Sequence, residues 1–315
     1  MSSRGLNKGG VLNLRMIPPR QIVLSGGGIR VCSTVGVLKA LEERKILRHV
    51  KHIGGVSAGA WLAFMVASGL KISVIQTLIH EIDFSIIRNI TPDAFLGFPE
   101  NYGIDDGSNL TKFLESVIRV TLHIDPKITF EQFQALKNTK MKFRCWATDL
   151  NDRKIKEFSA DKTPNFKIID ALRASMALPP YFTPLIDPET GHLLSDGALL
   201  GNLPIHHLAE EELINTMGIT FCNESPGKKA DNTPMDIFGF FGAIFNSLVQ
   251  SRNEDVKRKY SHRIIEIPVG SFASWNFEAT HDERKYLYDT GYNTGIKWLS
   301  NIRSGSHSIS RRHSV

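Results

Sequence analysis

The segment Gly55-Val56-Ser57-Ala58-Gly59 places a serine among glycines and small residues. It separates a short apolar run, typical of a strand, from a long apolar run, typical of a helix. A nucleophilic serine on a tight strand-to-helix turn needs small neighbours, because the backbone must fold back and leave the hydroxyl exposed at the helix N-terminus. Ordinary turns use the same residue types, so the pentapeptide alone favours a nucleophile elbow and a plain turn equally.

A glycine-rich loop lies about one strand-helix-strand unit earlier in the chain. There a β-branched run at 22–25 breaks into Gly26-Gly27-Gly28 and resumes as a helical pattern. Consecutive backbone N–H groups in such a loop, together with the N-terminus of the next helix, suit an anion such as a phosphate or a transient oxyanion. A dinucleotide fingerprint would require glycine at position 31, where the chain has Val31, so a nucleotide fold is poorly supported.

A third candidate is Asp196, which follows an apolar run and precedes Gly197 and Ala198. In isolation the pattern favours a turn aspartate. The combination is more specific, because a serine on an elbow, a loop that can stabilise an oxyanion and a carboxylate at a strand end are the components of a serine acyl hydrolase.

With these motifs the sequence resembles the patatin-like phospholipases. Residues 21–30 resemble the glycine-rich oxyanion loop of that family, residues 55–59 its nucleophile elbow, and residues 196–198 the segment that carries its catalytic base. The sequence departs from the family at Val31, where the family loop often has glycine, so the local loop geometry is in question. The resemblance spans about residues 20–301, since further segments are similar at 102–107, 147–150, 171–179 and 267–292.

The resemblance implies a Ser–Asp dyad in which Ser57 is the nucleophile and Asp196 accepts its proton, with no histidine required. It implies a serine esterase or lipase of phospholipase A type, which hydrolyses carboxylic esters of phospholipid or glycerolipid through an acyl-serine intermediate and needs no cofactor. The backbone N–H groups of Gly27, Gly28 and Ala58 are the candidate oxyanion donors, and Arg30 is expected to anchor the loop. The remaining implied positions are Gly26 in the oxyanion loop, Gly55 and Gly59 in the elbow, and Gly197 and Ala198 beside the base.

Two alternatives remain open. The α/β-hydrolases use the same elbow with a Ser–Asp–His triad in that chain order, and the candidate bases among the histidines after Asp196 are His206, His207, His262 and His281. The other alternative is a lipid-binding or membrane-associated protein that keeps the fold with weak or no catalysis.

The elements that must position these residues alternate along the chain. Alternation of this kind predicts an α/β fold with a mostly parallel central sheet and helices on both faces, which the resemblance refines to a patatin-like three-layer fold. Functional residues then belong at the carboxyl ends of strands. Strands are expected at 21–25, 50–55, 142–149, 193–195, 217–222 and 263–268, and helices at 33–46, 58–69, 71–87, 108–120, 166–176, 205–213, 235–257 and 281–300.

Composition and charge limit the kinds of molecule that the protein is expected to bind. The 315 residues are 42% hydrophobic and 22% charged, as is usual for a globular α/β domain. The net charge of +6 suits approach to an anionic lipid surface, whereas no basic stripe with interleaved aromatics indicates nucleic acid. Three unpaired cysteines favour a reducing compartment. No His, Cys, Asp or Glu cluster has the spacing of metal ligands, so no metal is predicted.

The domain organisation is expected to comprise a flexible N-terminal extension at 1–19, a patatin-like domain at 20–301, and a disordered, basic, serine-rich tail at 302–315. No secretory signal is expected, and no apolar stretch in the sequence reaches spanning length. These features predict a cytoplasmic protein, peripheral at membranes, whose partner is a lipid or membrane surface; a homo-oligomer is compatible with them. The phenylalanine-rich segment 235–245 is expected to lie in the core or on a lipid-facing or subunit-facing surface.

Overall fold

The computed structural model describes residues 18–222 and 237–303, apart from positions 271, 273 and 275. The predicted N-terminal extension up to residue 17, and the predicted tail from residue 304, lie outside the described residues. Within the described ranges no helix has both the length and the apolar character that crossing a bilayer requires.

Eight strands form one sheet in the described part of the chain: β1 (Gln21–Leu24), β2 (His52–Val56), β3 (Lys142–Asp149), β4 (Lys154–Ser159), β5 (Leu185–Ile186), β6 (Leu193–Asp196), β7 (Thr216–Cys222) and β8 (Ile264–Pro268). Their order across the sheet is β5-β6-β3-β2-β1-β7-β8, with β4 also paired to β3. Strands β3, β2, β1, β7 and β8 run parallel to one another, while β4 and β6 pair antiparallel with β3, and β5 antiparallel with β6. The predicted, mostly parallel sheet is confirmed.

Helices cover both faces of the sheet. Short 3₁₀ turns at Gly28–Arg30, Leu47–His49, Phe84–Ile87, Pro204–His207 and Ser261–Arg263 join several of the elements. The helices are α1 (Val31–Glu43), α2 (Ala58–Ala67), α3 (Ile72–Glu81), α4 (Pro92–Leu96), α5 (Phe98–Asn101), α6 (Ser108–Val120), α7 (Phe130–Gln134), α8 (Ile168–Ser175), α9 (Ala198–Gly201), α10 (Glu210–Leu213), α11 (Ile237–Tyr260) and α12 (His281–Arg303).

Two of the predicted helices are interrupted. The helix expected at 71–87 ends at Glu81, and the Asp83 side chain then accepts a hydrogen bond from the Ser85 N–H and starts a separate 3₁₀ turn. The helix expected at 205–213 is a 3₁₀ turn followed by the short α10, because Leu208 and Ala209 adopt extended backbone conformations. Strands β4 and β5 were not predicted, since the first mixes charged and apolar residues and the second has two residues.

The core is divided between the two faces of the sheet. Along β1, Ile22 and Leu24 pack into one cluster with α1, α2 and α6, whereas Val23 faces the other cluster with Ala198 and Val256. This alternation follows from the two-residue period of a strand. All ten residues of α2 are buried, which explains why its sequence has no polar face. The start of α2 is therefore held rigidly against the sheet.

Candidate active site

Strand β3 brings the ends of two other strands together. Strand β2 pairs with it as far as Val56, which lies opposite Trp146. The antiparallel β6 pairs with the continuation of the same edge, where Asp196 lies opposite Ala147. Because Trp146 and Ala147 are consecutive, the last residue of β6 lies beside the residue that follows β2. That residue is Ser57.

The elbow at Ser57 has the backbone geometry of a strained turn. Ser57 has φ 55° and ψ −132°, a region that costs a non-glycine residue about 1–3 kcal/mol and is retained where function requires it. The turn is possible because Gly55 and Gly59 are in backbone contact, such that a Cβ on Gly55 would overlap the Gly59 carbonyl group. The Ser57 side chain consequently projects from the start of α2.

A buried serine supports the elbow from behind. The Ser57 N–H donates to the Ser175 hydroxyl at 2.9 Å, and that hydroxyl donates to the Trp146 carbonyl at 2.6 Å. Ser175 is 0% exposed, so water is not available to replace either bond. One side chain of α8 thus ties the elbow to β3.

The glycine loop lies directly beside the serine. A Cβ placed on Gly26 would be 2.9 Å from the Ser57 Cβ. Gly28 has φ +52°, and a Cβ there would overlap the carbonyl oxygen of Ser274, so both backbone conformation and available space require glycine. Helix α1 begins three residues later, which places its N-terminal positive potential at the same point.

Two long-range hydrogen bonds hold this loop. The Arg30 Nε donates to the Phe272 carbonyl at 2.6 Å. Through this bond Arg30 anchors the loop to the segment before α12. The Asn202 Nδ2 donates to the Gly26 carbonyl at 3.2 Å. Since C=O and N–H of a trans peptide point in opposite directions, fixing the Gly26 carbonyl also fixes the direction of the Gly27 N–H.

The Asp196 carboxyl group is almost completely enclosed, with 1% of the residue exposed. Burial raises its pKa to about 7, although hydrogen bonds from the Ala198 N–H and from the Ser57 side chain act in the opposite direction. The Ala198 N–H donates to Oδ1 at 2.9 Å, and the Thr148 hydroxyl holds the Asp196 carbonyl at 2.9 Å. The carboxylate is therefore a stronger base than an exposed aspartate and contacts the serine hydroxyl.

These groups open into one cavity of about 330 Å³. Apolar side chains of α2, α3 and α6 form one side of it, among them Trp61, Ile79 and Phe113. Helix α11 forms the opposite side, where Phe245 and Val249 are in the lining. The cavity can accept an extended apolar group that ends at the serine.

The structure places most of the predicted site residues on this cavity. The lining includes Ser57, Asp196, Ala58, Ala198, Arg30 and the three loop glycines, whereas Gly55, Gly59 and Gly197 lie behind it and allow the backbones to approach. In the phenylalanine-rich segment, Phe245 lines the cavity and Phe240 is exposed. The side chains of Phe238 and Phe241 lie outside the described residues.

The histidines of the triad alternative lie elsewhere. No histidine is among the described residues that line the cavity. His206 and His207 are exposed on a 3₁₀ turn, His262 accepts a hydrogen bond from the neighbouring arginine, and the ring of His281 packs against that of His80. The geometry does not support a histidine base.

Three supporting residues were not singled out from the sequence. Ser175 and Thr148 lie in segments that are similar to the family, so the sequence indicated those regions without indicating the contacts. Asn202 follows Asp196 by one short helix and carries no motif signal. Each acts through a hydrogen bond to the backbone of a residue distant in sequence, and such bonds leave no local pattern.

A cluster of potential metal ligands, which was not anticipated, lies away from the cavity. Ligand atoms of Asp149, Asp152 and His192 are within 4.8 Å of one another. The His192 Nδ1 lies 2.8 Å from the Asp149 carboxylate, and the other Asp149 oxygen accepts backbone N–H groups of Asn151 and Asp152. These contacts explain the proximity as an ion pair that closes a turn.

The fold and the site together define an α/β protein with a serine on a strand-to-helix elbow, a buried aspartate beside it and a glycine loop over both. The family model for patatin-like phospholipases matches residues 22–209, and the chain belongs to that family.

Relatives of similar length include the uncharacterized protein R571 of Acanthamoeba polyphaga mimivirus, 29% identical over 86% of this chain and 91% of the relative, and YqhO of Bacillus subtilis, 26% identical over 85% and 94%. Human patatin-like phospholipase domain-containing protein 6 is 29% identical over 58% of this chain and 12% of that relative.

Two solved structures share the fold. VipD from Legionella pneumophila matches with a TM-score of 0.60 and 20% identity over 90% of this chain and 67% of VipD. The type III effector protein ExoU matches with a TM-score of 0.54 and 16% identity over 91% of this chain and 54% of ExoU. At these identities the likeness establishes the fold alone.

Proposed function

We propose that the protein is a lipid acyl hydrolase that cleaves carboxylic esters of phospholipid or glycerolipid through an acyl-Ser57 intermediate. The observation that carries the proposal is the convergence of the Ser57 hydroxyl, the Asp196 carboxylate and the glycine loop in the lining of one cavity, which has a large apolar part. Membership of the patatin-like phospholipase family supports lipid hydrolysis as the general activity.

In the first half-reaction, the Ser57 oxygen attacks the ester carbonyl carbon while Asp196 accepts the hydroxyl proton. The carbonyl oxygen becomes an oxyanion that the N–H groups of Gly27, Gly28 and Ala58 stabilise. The bond to the alcohol then breaks, and the alcohol leaves with the proton from Asp196. The products of this half are the free alcohol and the acyl-serine.

In the second half-reaction, water attacks the acyl carbonyl and gives its proton to Asp196. The same oxyanion donors act again, and Ser57 leaves with the proton as the fatty acid is released. Asp196 thus has the same function in both halves, and burial prepares it for this by raising its pKa to about 7. We expect kcat/KM to rise with pH through about 7, because only the ionised carboxylate can accept the serine proton.

The test is hydrolysis of a chromogenic acyl ester and of phospholipid and glycerolipid vesicles, with products identified by mass spectrometry. Ser57→Ala and Asp196→Asn should each abolish turnover, while Ser73→Ala, an exposed serine on α3, should keep it. Acyl-ester binding to the wild type without Ser57-dependent turnover would replace the proposal by the non-catalytic lipid-binding function. Loss of activity in His206→Ala or His207→Ala variants would instead support a triad.

A further inference from the structure

The cavity extends across the edge of the sheet, and Ser57 lies between two parts of different character. On one side the lining residues, such as Trp61, Leu62 and Phe113, belong to or pack against the large apolar core. On the other side the lining comes from α9 and α11, which pack into the second core cluster, and from Thr220 of β7. We call this second part the α11 arm; its polar lining residues are Asn202, Thr220, Gln250, Asn253, Glu254 and Lys257.

Two atoms of the α11 arm are buried without a hydrogen-bond partner among the described residues: Asn202 Oδ1 and Thr220 Oγ1. Thr220 is 1% exposed and Asn202 is 7% exposed. Leaving such an atom unpaired costs about 1–3 kcal/mol. The Asn202 amide already donates to the Gly26 carbonyl, so its oxygen remains available as an acceptor at the level of the nucleophile.

The charges of the arm indicate which polar group fits. The Lys257 ammonium lies 3.2 Å from a Glu254 oxygen and 2.9 Å from a Glu266 oxygen, so two carboxylates already compensate it. Two carboxylates against one ammonium leave an excess of negative charge, which would repel a phosphate group bound in the arm. A neutral group with O–H donors meets no such repulsion. It can donate a hydrogen bond to Asn202 Oδ1 and form another, as donor or acceptor, with the Thr220 hydroxyl.

We infer that the α11 arm is the binding site for the alcohol half of the ester, and that it selects hydroxyl-bearing alcohols of the glycerol type through Asn202 and Thr220. The inference rests on the proposed function. When the acyl chain occupies the apolar part and its carbonyl lies at Ser57, the alcohol oxygen must point to the opposite part of the cavity. Thr220 is then a specificity-determining residue, whose effect depends on the leaving alcohol.

The test compares two esters of one fatty acid, monopalmitoylglycerol and ethyl palmitate, in the same mixed micelles. Thr220→Val removes the hydroxyl and keeps the shape of the side chain. We expect the ratio of kcat/KM for the glycerol ester to that for the ethyl ester to fall about 3- to 10-fold, the equivalent of one hydrogen bond. Thr220→Ser, which keeps the hydroxyl, should restore the ratio.

Thr216→Val is the matched control, because it removes a buried hydroxyl at the opposite end of β7 and should leave the ratio as in the wild type. If Thr220→Val lowers kcat/KM equally for both esters, Thr220 has a structural role. If the variant leaves both values unchanged, water alone pairs Asn202 Oδ1 and Thr220 Oγ1. Either result overturns the inference. Absence of Ser57-dependent turnover of both esters by the wild type would instead refute the proposed function.

Discussion

The two strand-to-helix turns of the site, the glycine loop between β1 and α1 and the elbow between β2 and α2, use similar local architecture in different ways. The elbow projects one side chain, Ser57, and its tight bend depends on Gly55 and Gly59, which are four residues apart. The glycine loop presents backbone, and its contacts are with Asn202 and Ser274, which are distant in sequence.

The two turns also differ in which distant segments hold them. The bend of the elbow forms within its own pentapeptide, and distant contacts then fix its position: the Ser57 N–H donates to the Ser175 hydroxyl, and a Cβ on Gly59 would overlap the Ser25 carbonyl oxygen. The loop requires α9 and the segment before α12, because Asn202 holds its first residue, Gly26, and Phe272 holds its last, Arg30. Damage to α9 or to the segment before α12 should therefore impair the loop before the elbow.

The largest expected effect concerns Asp196, which lies between the two turns. Its pKa of about 7, against an ordinary value of 3.8, corresponds to about 4 kcal/mol that disfavours the folded state when the carboxylate is charged. The folded protein binds the extra proton between about pH 4 and pH 7, so this penalty is absent below pH 4, grows across that window and is complete above it.

Asp196→Asn should therefore raise the free energy of unfolding by up to about 4 kcal/mol at pH 8, with little gain at pH 4. Urea unfolding at both pH values measures this. An equal gain in the free energy of unfolding at the two pH values would show that the folded protein does not disfavour the charged Asp196 carboxylate. That result would contradict the desolvation of Asp196 in the closed site.

The next effect distinguishes the loop from ordinary glycine turns. Gly28→Ala should lower kcat by about 10²–10³, the loss typical of one oxyanion donor, because the new methyl group would displace Ser274 and the loop backbone. Gly191→Ala is the control: Gly191 also has positive φ, +75°, but no atom lies within 4 Å of its added Cβ.

Steady-state kinetics on a soluble acyl ester, together with thermal melts of both variants, separates a loss of catalysis from a loss of stability. Both substitutions should cost about 1 kcal/mol of stability or more through backbone strain, but only the change at Gly28 should reduce kcat. Equal kcat in the two variants would contradict a catalytic use of the loop.

The smallest effect tests the strain in the elbow. Ser57→Gly should be more stable than Ser57→Ala by about 1 kcal/mol. Glycine adopts φ 55° without the strain that alanine bears, and its greater entropy in the unfolded chain offsets only part of this gain. Both variants should lack turnover. Chemical denaturation of the pair measures the difference, and a more stable alanine variant would mean that the elbow is not strained.

The sequence predicted the parallel strands, most of the long helices and the three motifs, because apolar periodicity and glycine placement act over short stretches of chain. It did not predict β4, whose charged residues obscure the strand pattern, or the break after Glu81. Among the residues that line the cavity, Ser57, Asp196 and Gly26 were predicted from their local motifs.

What the sequence by itself determined was the type of each candidate reactive group and the turn that presents it, since a glycine or a small residue constrains only its immediate backbone. Tertiary structure decided the rest. The antiparallel β6 meets β2 on consecutive residues of β3, which encloses Asp196 and raises its pKa. Asn202 and Thr220 reach the cavity because α9 and β7 lie beside the glycine loop. Burial and hydrogen bonding depend on which distant segments come into contact, and no local pattern in the chain records that.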